Sequence, residues 1–521
     1  MVSLIDRRGL LATAALSALG GFASPLLPFT EAARAASVTT LTAGRRTLDV
    51  NGRAATVFGI TQTDGTHGLI TEVGTPFRAT LRNDAGVDTL IHWHGLTPPY
   101  RQDGVPGVSA PAVTPGGSAE YDFPLSFPGT FWMHSHQGLQ EQSLMSAPLI
   151  IRDRVGAADR QEVVLMLHDF SFKSPEEIYA GLRRATSSKA GQGLDQKAGM
   201  AGNRMQGMDA MPGMSVGEAR AGVAGGSRDA MAGMSGMATS QSAGPGPAGM
   251  SMDLNDVVFD AFLANDRTLA DPLVVRVEPR GRILLRVINA SASSNFQIDL
   301  GGVRADLVAV DGRPVQAMSG SVFPVAIAQR LDLDFQLAAG QTAVPVLAGL
   351  EGERKRTGIV LATAGGQVQK LPDLAPRAVA PLNFELEQSL RAAAPLAPKP
   401  ADRVHHIDLT GAMEGYVWGL NGLAYGDDKP LMVTKGQRVE LVMTNRTMMS
   451  HPMHLHGHAF QVVAANGRRF SGAVRDTVLV PPMQTVTVAF DADNPGRWAF
   501  HCHNLYHMAA GMMTTVQYDA F

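Results

Sequence analysis

The chain has 521 residues, 45% of them hydrophobic and 17% charged, which is enough apolar material for roughly three domains. A formal net charge of −3 and a pI near 6.6 give no electrostatic footprint for nucleic acid or for an anionic membrane surface. A single cysteine, Cys502, excludes an internal disulfide and leaves either a free thiol or a ligand.

Residues 1–36 read as an export signal. Asp6-Arg7-Arg8-Gly9-Leu10-Leu11 is a twin-arginine start, an apolar run follows from Leu10 to Leu27, and Ala33-Arg34-Ala35 offers a small-x-small cleavage site. Pro25 and Pro28 interrupt the run, which argues against a stable membrane anchor. No later segment is long and apolar enough to span a bilayer. The expectation is a periplasmic protein exported folded by the twin-arginine route.

Residues 37–155 alternate in period two between Gly, Pro and Asn turns, which predicts strands. Two histidine pairs lie here: His92-Trp93-His94 in TLRNDAGVDTLIHWHGL (80–96) and His134-Ser135-His136 in PGTFWMHSH (128–136). A second predicted domain, 160–370, is interrupted by an insertion over 171–254. Within it, residues 200–252 hold ten of the 25 methionines among Gly, Ala and Ser, with no aromatics. Such a stretch cannot build a core. Its Met-x-x-Met spacing makes soft thioether donors for Cu(I), and a plain flexible loop is the alternative. Residues 371–400, rich in Pro and Ala, read as a linker, and 401–521 as a third domain. That domain holds VMTNRTMMSHPMHLHGH (442–458) and PGRWAFHCH (495–503), the latter followed by NLYHMAAGM.

These segments repeat. Aligning Asn83, Asn289 and Asn445 places His92, Ile298 and His454 nine residues on, and His94, Leu300 and His456 eleven on. Gly95, Gly301 and Gly457 follow. The middle copy, RVINASASSNFQIDLGG (286–302), is apolar where the outer two carry histidine. The segments 128–136 and 495–503 also match, with Ser135 where Cys502 stands. Three related all-β domains, each an antiparallel sandwich, are the simplest account.

Ten of the 15 histidines sit in these motifs. On a strand, residues i and i+2 share a face, so each His-x-His is a ready pair of imidazole ligands. The pairs His92/His94, His134/His136, His454/His456 and His501/His503 converge at one interface if the outer domains pack together. Cys502 then faces the opposite side from its flanking histidines. With His451, His507 and Met512 it makes the His₂Cys-plus-thioether set of a blue-copper site, and Met513 is the alternative to Met512. Zinc is the rival metal, but one cysteine among this many histidines does not fit zinc spacings.

HWHG, HSH, HPMHLHG and HCHNLYHMAAGM together resemble, in order and spacing, the multicopper oxidases, over nearly the whole mature chain. HWHGLTPPYRQDGVPGVSAP and FWMHSHQGLQEQS look most similar to the bacterial copper-resistance, CopA-like branch. The resemblance implies three cupredoxin-like Greek-key sandwiches and four copper ions. It assigns His451, Cys502, His507 and Met512 to type 1 copper, and His92 and His454 to type 2. His94, His134, His136, His456, His501 and His503 go to the type 3 pair. It also implies that Cys502 conducts electrons to the cluster, that dioxygen becomes water, and that Asp103 in RQDGVPG relays protons. Some relatives carry a second acid just past the type 1 histidine. Met508-Ala509-Ala510 supplies none here. The Met-rich insertion resembles those of copper-tolerance relatives, and Met448, Met449 and Met453 could extend it.

The expected function is oxidation of Cu(I) with dioxygen as acceptor, by a monomer. A laccase-like oxidase of phenols or aromatic amines, and a copper-sequestering protein with little turnover, are the alternatives. His67, His168, His405, His406 and His458 match no motif.

Overall fold

The computed structural model describes residues 38–153, 159–184 and 254–521. The export signal and residues 200–252 of the Met-rich insertion lie outside these. Among the described residues no helix is long and apolar enough to cross a membrane.

Among the described residues the strands form six sheets, two for each third of the chain. In the first third a four-stranded sheet holding Thr39–Val50 and Pro76–Asn83 faces another holding Ile91–His94 and Gly129–Ser135. Leu41, Phe77 and Leu81 of one sheet meet Trp93, Phe131, Met133 and Leu149 of the other in a common core. The strands alternate in burial because one face packs inward, the pattern that the sequence shows as period two. The middle and last thirds are built alike, and one buried apolar cluster runs through both, including Ile298 and Leu300. Those two residues fill with hydrocarbon the places where the outer copies carry histidine.

The sandwiches are not purely antiparallel. In each third the first strand runs parallel to a later one: Thr39–Ala43 with Ala79–Asn83, Gln161–Leu167 with Ile283–Asn289, and Arg403–Leu409 with Val439–Asn445. In each, the last strand also pairs in parallel: Leu149–Arg152 with Leu69–Glu72, Val360–Ala362 with Val274–Arg276, and Val516–Tyr518 with Leu431–Val433. Alternation reports which face is buried, and crossover connections set strand direction, so the sequence could not show this. The recurrence in three places confirms the internal repeat.

The aligned asparagines share one task. Asn83, Asn289 and Asn445 are buried, and each Nδ2 donates to one carbonyl of the loop ahead, that of Val87, Ser294 or Met449, and to a second one 30 to 36 residues on, that of Val113, Val325 or Val480. Each Oδ1 accepts the amide two residues on. The loop leading to the ligand strand is pinned the same way each time. Residues 371–400 contain a short helix, Glu385–Ser389, and bury Leu382, Phe384 and Leu390.

Candidate metal centre

His92 pairs in register with His134 on neighbouring strands of the first sandwich, and His454 with His501 in the third. The two sets interleave. The His94 ring stacks on His454 and the His92 ring on His456, each at 3.8 Å between centroids. His456 Nε2 and His136 Nε2 lie 3.0 and 3.3 Å from His501 Nε2. His503 approaches His94 and His134, with ring centroids 5.0 Å away in both cases. All eight predicted cluster histidines meet at one place.

Carbonyl and carboxylate oxygens only accept, so they fix where each imidazole keeps its proton. His92 Nδ1 donates to Asp103 O at 2.8 Å, His456 Nδ1 to Asp103 Oδ2 at 2.9 Å, and His501 Nδ1 to Cys502 O at 2.9 Å. His454 Nδ1 donates to Asp476 O at 2.8 Å, and His134 Nδ1 to Ser135 O at 3.1 Å. His92 Nε2, His94 Nδ1, His134 Nε2, His454 Nε2 and His503 Nε2 are left buried with no protein partner. Each such orphan would cost about 1–3 kcal/mol. Five of them pointing inward fit metal ligation. Burial first, then neighbouring imidazoles, pushes His94, His136, His454 and His456 well below the usual histidine range. Burial also pushes His134 and His503 well down and His501 down to about 3. These rings are neutral and offer lone pairs, as metal ligation requires.

Cys502 faces the other way. Its Sγ lies 3.7 Å from both His451 Nδ1 and His507 Nδ1, and those two nitrogens are 3.2 Å apart. Their outer nitrogens are occupied. His451 Nε2 lies 2.8 Å from Thr447 Oγ1, and His507 Nε2 donates to Asp256 Oδ2 at 2.8 Å. His507 sits on the short helix Leu505–Ala509, whose preceding Asn504 side chain accepts the Tyr506 and His507 amides. Trp418 stacks on His507 with centroids 4.1 Å apart. Burial pushes the Cys502 thiol up. A soft cation must therefore displace its proton, as metal binding at thiolates does.

Met512 belongs to the same buried cluster as Cys502 and Trp418. Met513 packs elsewhere, with Val105, Val108 and Ala499. The backbone ties Met512 to this site, since Cys502 N donates to Met512 O and Met512 N to His507 O, both at 3.0 Å. Met449 and Met453 are core residues and Met448 is exposed. Of the unassigned histidines, His458 bonds Tyr518 Oη at 2.7 Å behind the His456 loop. His67 and His168 both bond Ser146.

Several residues outside the sequence-predicted set surround these ligands. Glu141 lies within FWMHSHQGLQEQS and approaches His134 of the first sandwich and His503 of the third, the latter at 3.7 Å. Burial pushes its carboxyl well up. Asp476 serves His94 and His454, much as Asp103 serves His92 and His456. Asp256 lies just beyond the Met-rich insertion, where no repeat or motif marked it.

Multicopper oxidase family models match residues 47–156, 235–344 and 398–520. The chain belongs to the multicopper oxidase family. It is 30% identical to the multicopper oxidase MmcO of Mycobacterium tuberculosis, over 86% of this chain and 80% of that protein. It is 26% identical to a copper resistance protein A homolog of Pseudomonas syringae pv. tomato, over 98% of both. The fold is similar to that of Fet3p, a multicopper oxidase that functions in iron import. The TM-score is 0.68 at 19% identity, covering 92% of this chain and 90% of that one. Membership in this family implies copper binding and oxidoreductase chemistry. The buried, neutral imidazoles and the single thiol of this multicopper oxidase fit that metal.

Proposed function

We propose that this multicopper oxidase oxidises Cu(I) to Cu(II) and reduces dioxygen to water, in copper tolerance, after twin-arginine export to the periplasm. Overall, four Cu(I), one dioxygen and four protons give four Cu(II) and two waters. His451, Cys502, His507 and Met512 would hold one copper, and His92 and His454 a second. His94, His134, His136, His456, His501 and His503 would hold a pair. Bound there, copper would supply one-electron cycling beside the thiolate and a place for the four-electron reduction of dioxygen at the cluster.

The chain's own residues do the rest. Cys502 presents Sγ to His451 and His507 while its peptide neighbours His501 and His503 belong to the cluster, so electrons have a short covalent path. Asp103 is fully buried and its Oδ1 makes no hydrogen bond. That oxygen, 3.3 Å from His92 Nδ1, is the atom we assign to hold and pass protons.

The observation that carries Cu(I) over a phenolic donor is the cover on His507. The His507 side chain is fully buried, its outer nitrogen is taken by Asp256, and the Asp256 side chain is itself fully buried. Tyr416 Oη donates to Asp256 Oδ2 at 2.5 Å, and Tyr179 Oη, on a helix over 175–184, donates to Ala509 O at 3.2 Å. A planar organic donor needs an open imidazole edge. A small cation needs only a carboxylate oxygen, and Asp256 Oδ1 has no hydrogen-bond partner. Tyr179 and Asp256 also stand on either side of the methionine-rich stretch 200–252 in sequence, which supports thioether delivery of Cu(I) to this place.

Oxygen uptake by the copper-loaded chain, driven by Cu(I) or by a methoxyphenol, tests the reading. Asp256→Ala should lower Cu(I)-driven uptake by about tenfold, the scale of one charge-assisted contact, and leave methoxyphenol turnover equal or higher. Strong methoxyphenol turnover with little Cu(I) activity in the unaltered chain would establish the laccase-like alternative. No uptake with either donor, at full copper load, would establish sequestration.

A further inference from the structure

The middle sandwich carries none of the motif histidines, yet one of its side chains reaches the cluster. Arg330, at the start of Arg330–Gln336, is completely buried. Its Nη1 donates to Asp476 Oδ1 at 2.8 Å and to Ala328 O at 2.9 Å, and its Nη2 donates to Asp476 Oδ2. Its Nε donates to Thr130 O at 3.3 Å. One guanidinium thus joins the middle sandwich to a ligand strand of the first and to a carboxylate of the third. Asp311, also from the middle sandwich, accepts the Arg330 amide at 2.8 Å and Arg475 Nε at 2.9 Å, and so holds Arg330 itself and the residue before Asp476.

Asp476 Oδ1 accepts His94 Nε2–H at 3.1 Å. This bond sets His94 apart from the other seven cluster rings. His92, His134, His454 and His503 leave Nε2 without a partner, and His136, His456 and His501 bring their Nε2 atoms together. Among the buried cluster nitrogens that lack a partner, Nδ1 is the free atom in His94 and Nε2 in the others. Which nitrogen a histidine offers to a metal is set by what the other nitrogen bonds. Asp476 therefore selects the inverted tautomer of His94, and a bidentate arginine is the strongest available means of aiming that carboxylate. The pair also explains the glycine of HWHG. A Cβ on Gly95 would stand 2.5 Å from Arg330 Nη2 and 2.7 Å from Asp476 Oδ2.

We propose that Arg330 is a positioning residue for the copper cluster: by gripping Asp476 it holds His94 in the tautomer that presents Nδ1. The middle sandwich would then contribute to the cluster through charge and geometry while supplying no ligand. The proposal rests on reading His94 as a copper ligand.

The test uses the full chain loaded with copper, measuring copper per chain, the blue absorption of the Cys502 site and the paramagnetic resonance of the cluster. Arg330→Met should weaken cluster copper by about ten- to a hundredfold, the usual effect of losing an outer-shell partner, with the blue absorption retained. Arg330→Lys should recover part of the loss. Should Arg330→Met fail to fold by circular dichroism, the double variant Arg330→Met with Asp476→Asn removes the unbalanced charge. Cluster copper should remain weak in that folded protein. Normal cluster copper and an unchanged resonance in either variant would overturn the proposal. So would equal loss of the blue site and the cluster, which would indicate a general folding role. His94→Ala is measured in parallel. Full cluster copper in that variant would sink the reading of His94 as a ligand, separately from the role of Arg330.

Discussion

Replacing Gly95 by alanine probes the packing behind the cluster with one added methyl group. Gly95 has φ +88°, and its Cβ would meet Arg330 Nη2 at 2.5 Å, Asp476 Oδ2 at 2.7 Å and Phe131 Cδ1 at 2.8 Å. The left-handed backbone alone costs a side chain about 1–2 kcal/mol. The further cost is displacement of a buried ion pair, and breaking such a pair costs about 3–5 kcal/mol. Gly86 gives the control, because it has φ +79° and nothing within 4 Å of its Cβ. Gly86→Ala should therefore lose about 1 kcal/mol and Gly95→Ala about 4 kcal/mol. At ~2–4 °C per kcal/mol for a domain of this size, the first calorimetric transition should fall by ~3 °C in one and by ~10 °C in the other. Copper analysis on the same samples should show cluster copper reduced only in Gly95→Ala. Equal losses in the two variants would refute the argument, because the Arg330–Asp476 pair would then be yielding at no cost.

Met512→Leu and Met513→Leu are near-isosteric, so both should fold with less than about 1.5 kcal/mol lost. Only Met512→Leu should move the blue absorption and the potential of the Cys502 site, since Met513 packs against Val105 and Val108. A shift from Met513→Leu alone would reverse that assignment. The copper-free protein should lose stability as pH falls below about 6.5. His94, His134, His136, His451, His454, His456, His501 and His503 are all held below the ordinary histidine value in the folded state. The unfolded chain then binds more protons, at up to about 1.4 kcal/mol per ring for each pH unit. The stabilising effect of the neutral rings is thus present above the unfolded value and lost as pH falls toward the folded values. Denaturant titrations at pH 7.5, 6.5 and 5.5 measure it, and a flat profile would mean that these rings are solvated without metal.

The histidine site was legible because its spacing is local. His-x-His on a strand puts two rings on one face wherever the strand lies, and the motif repeats made the pattern hard to miss. The choice of Met512 over Met513 came from the resemblance, whose spacing past the histidine it matches. The carboxylates were not legible in the same way. Asp103 was found only through the resemblance of RQDGVPG. Glu141 lies inside the motif FWMHSHQGLQEQS, but nothing in the sequence places its side chain between His134 and His503. Asp256 and Arg330 belong to the middle third, which has no histidine motif to draw attention to it.

The sequence by itself determined the three-fold repeat, the sandwich class, the ligand types and the side of the strand that Cys502 faces. Each follows from period two and from residue chemistry, both properties of short stretches of chain. Tertiary structure decided the rest. It set the parallel strand pairs, the interleaving of the outer sandwiches' histidines, the Asp256 cover on His507, and the Arg330–Asp476 grip on His94. Those contacts join residues separated by 146 positions for Arg330 and Asp476 and by 251 for Asp256 and His507. No local pattern encodes them, because only the packing of whole sandwiches brings such residues together.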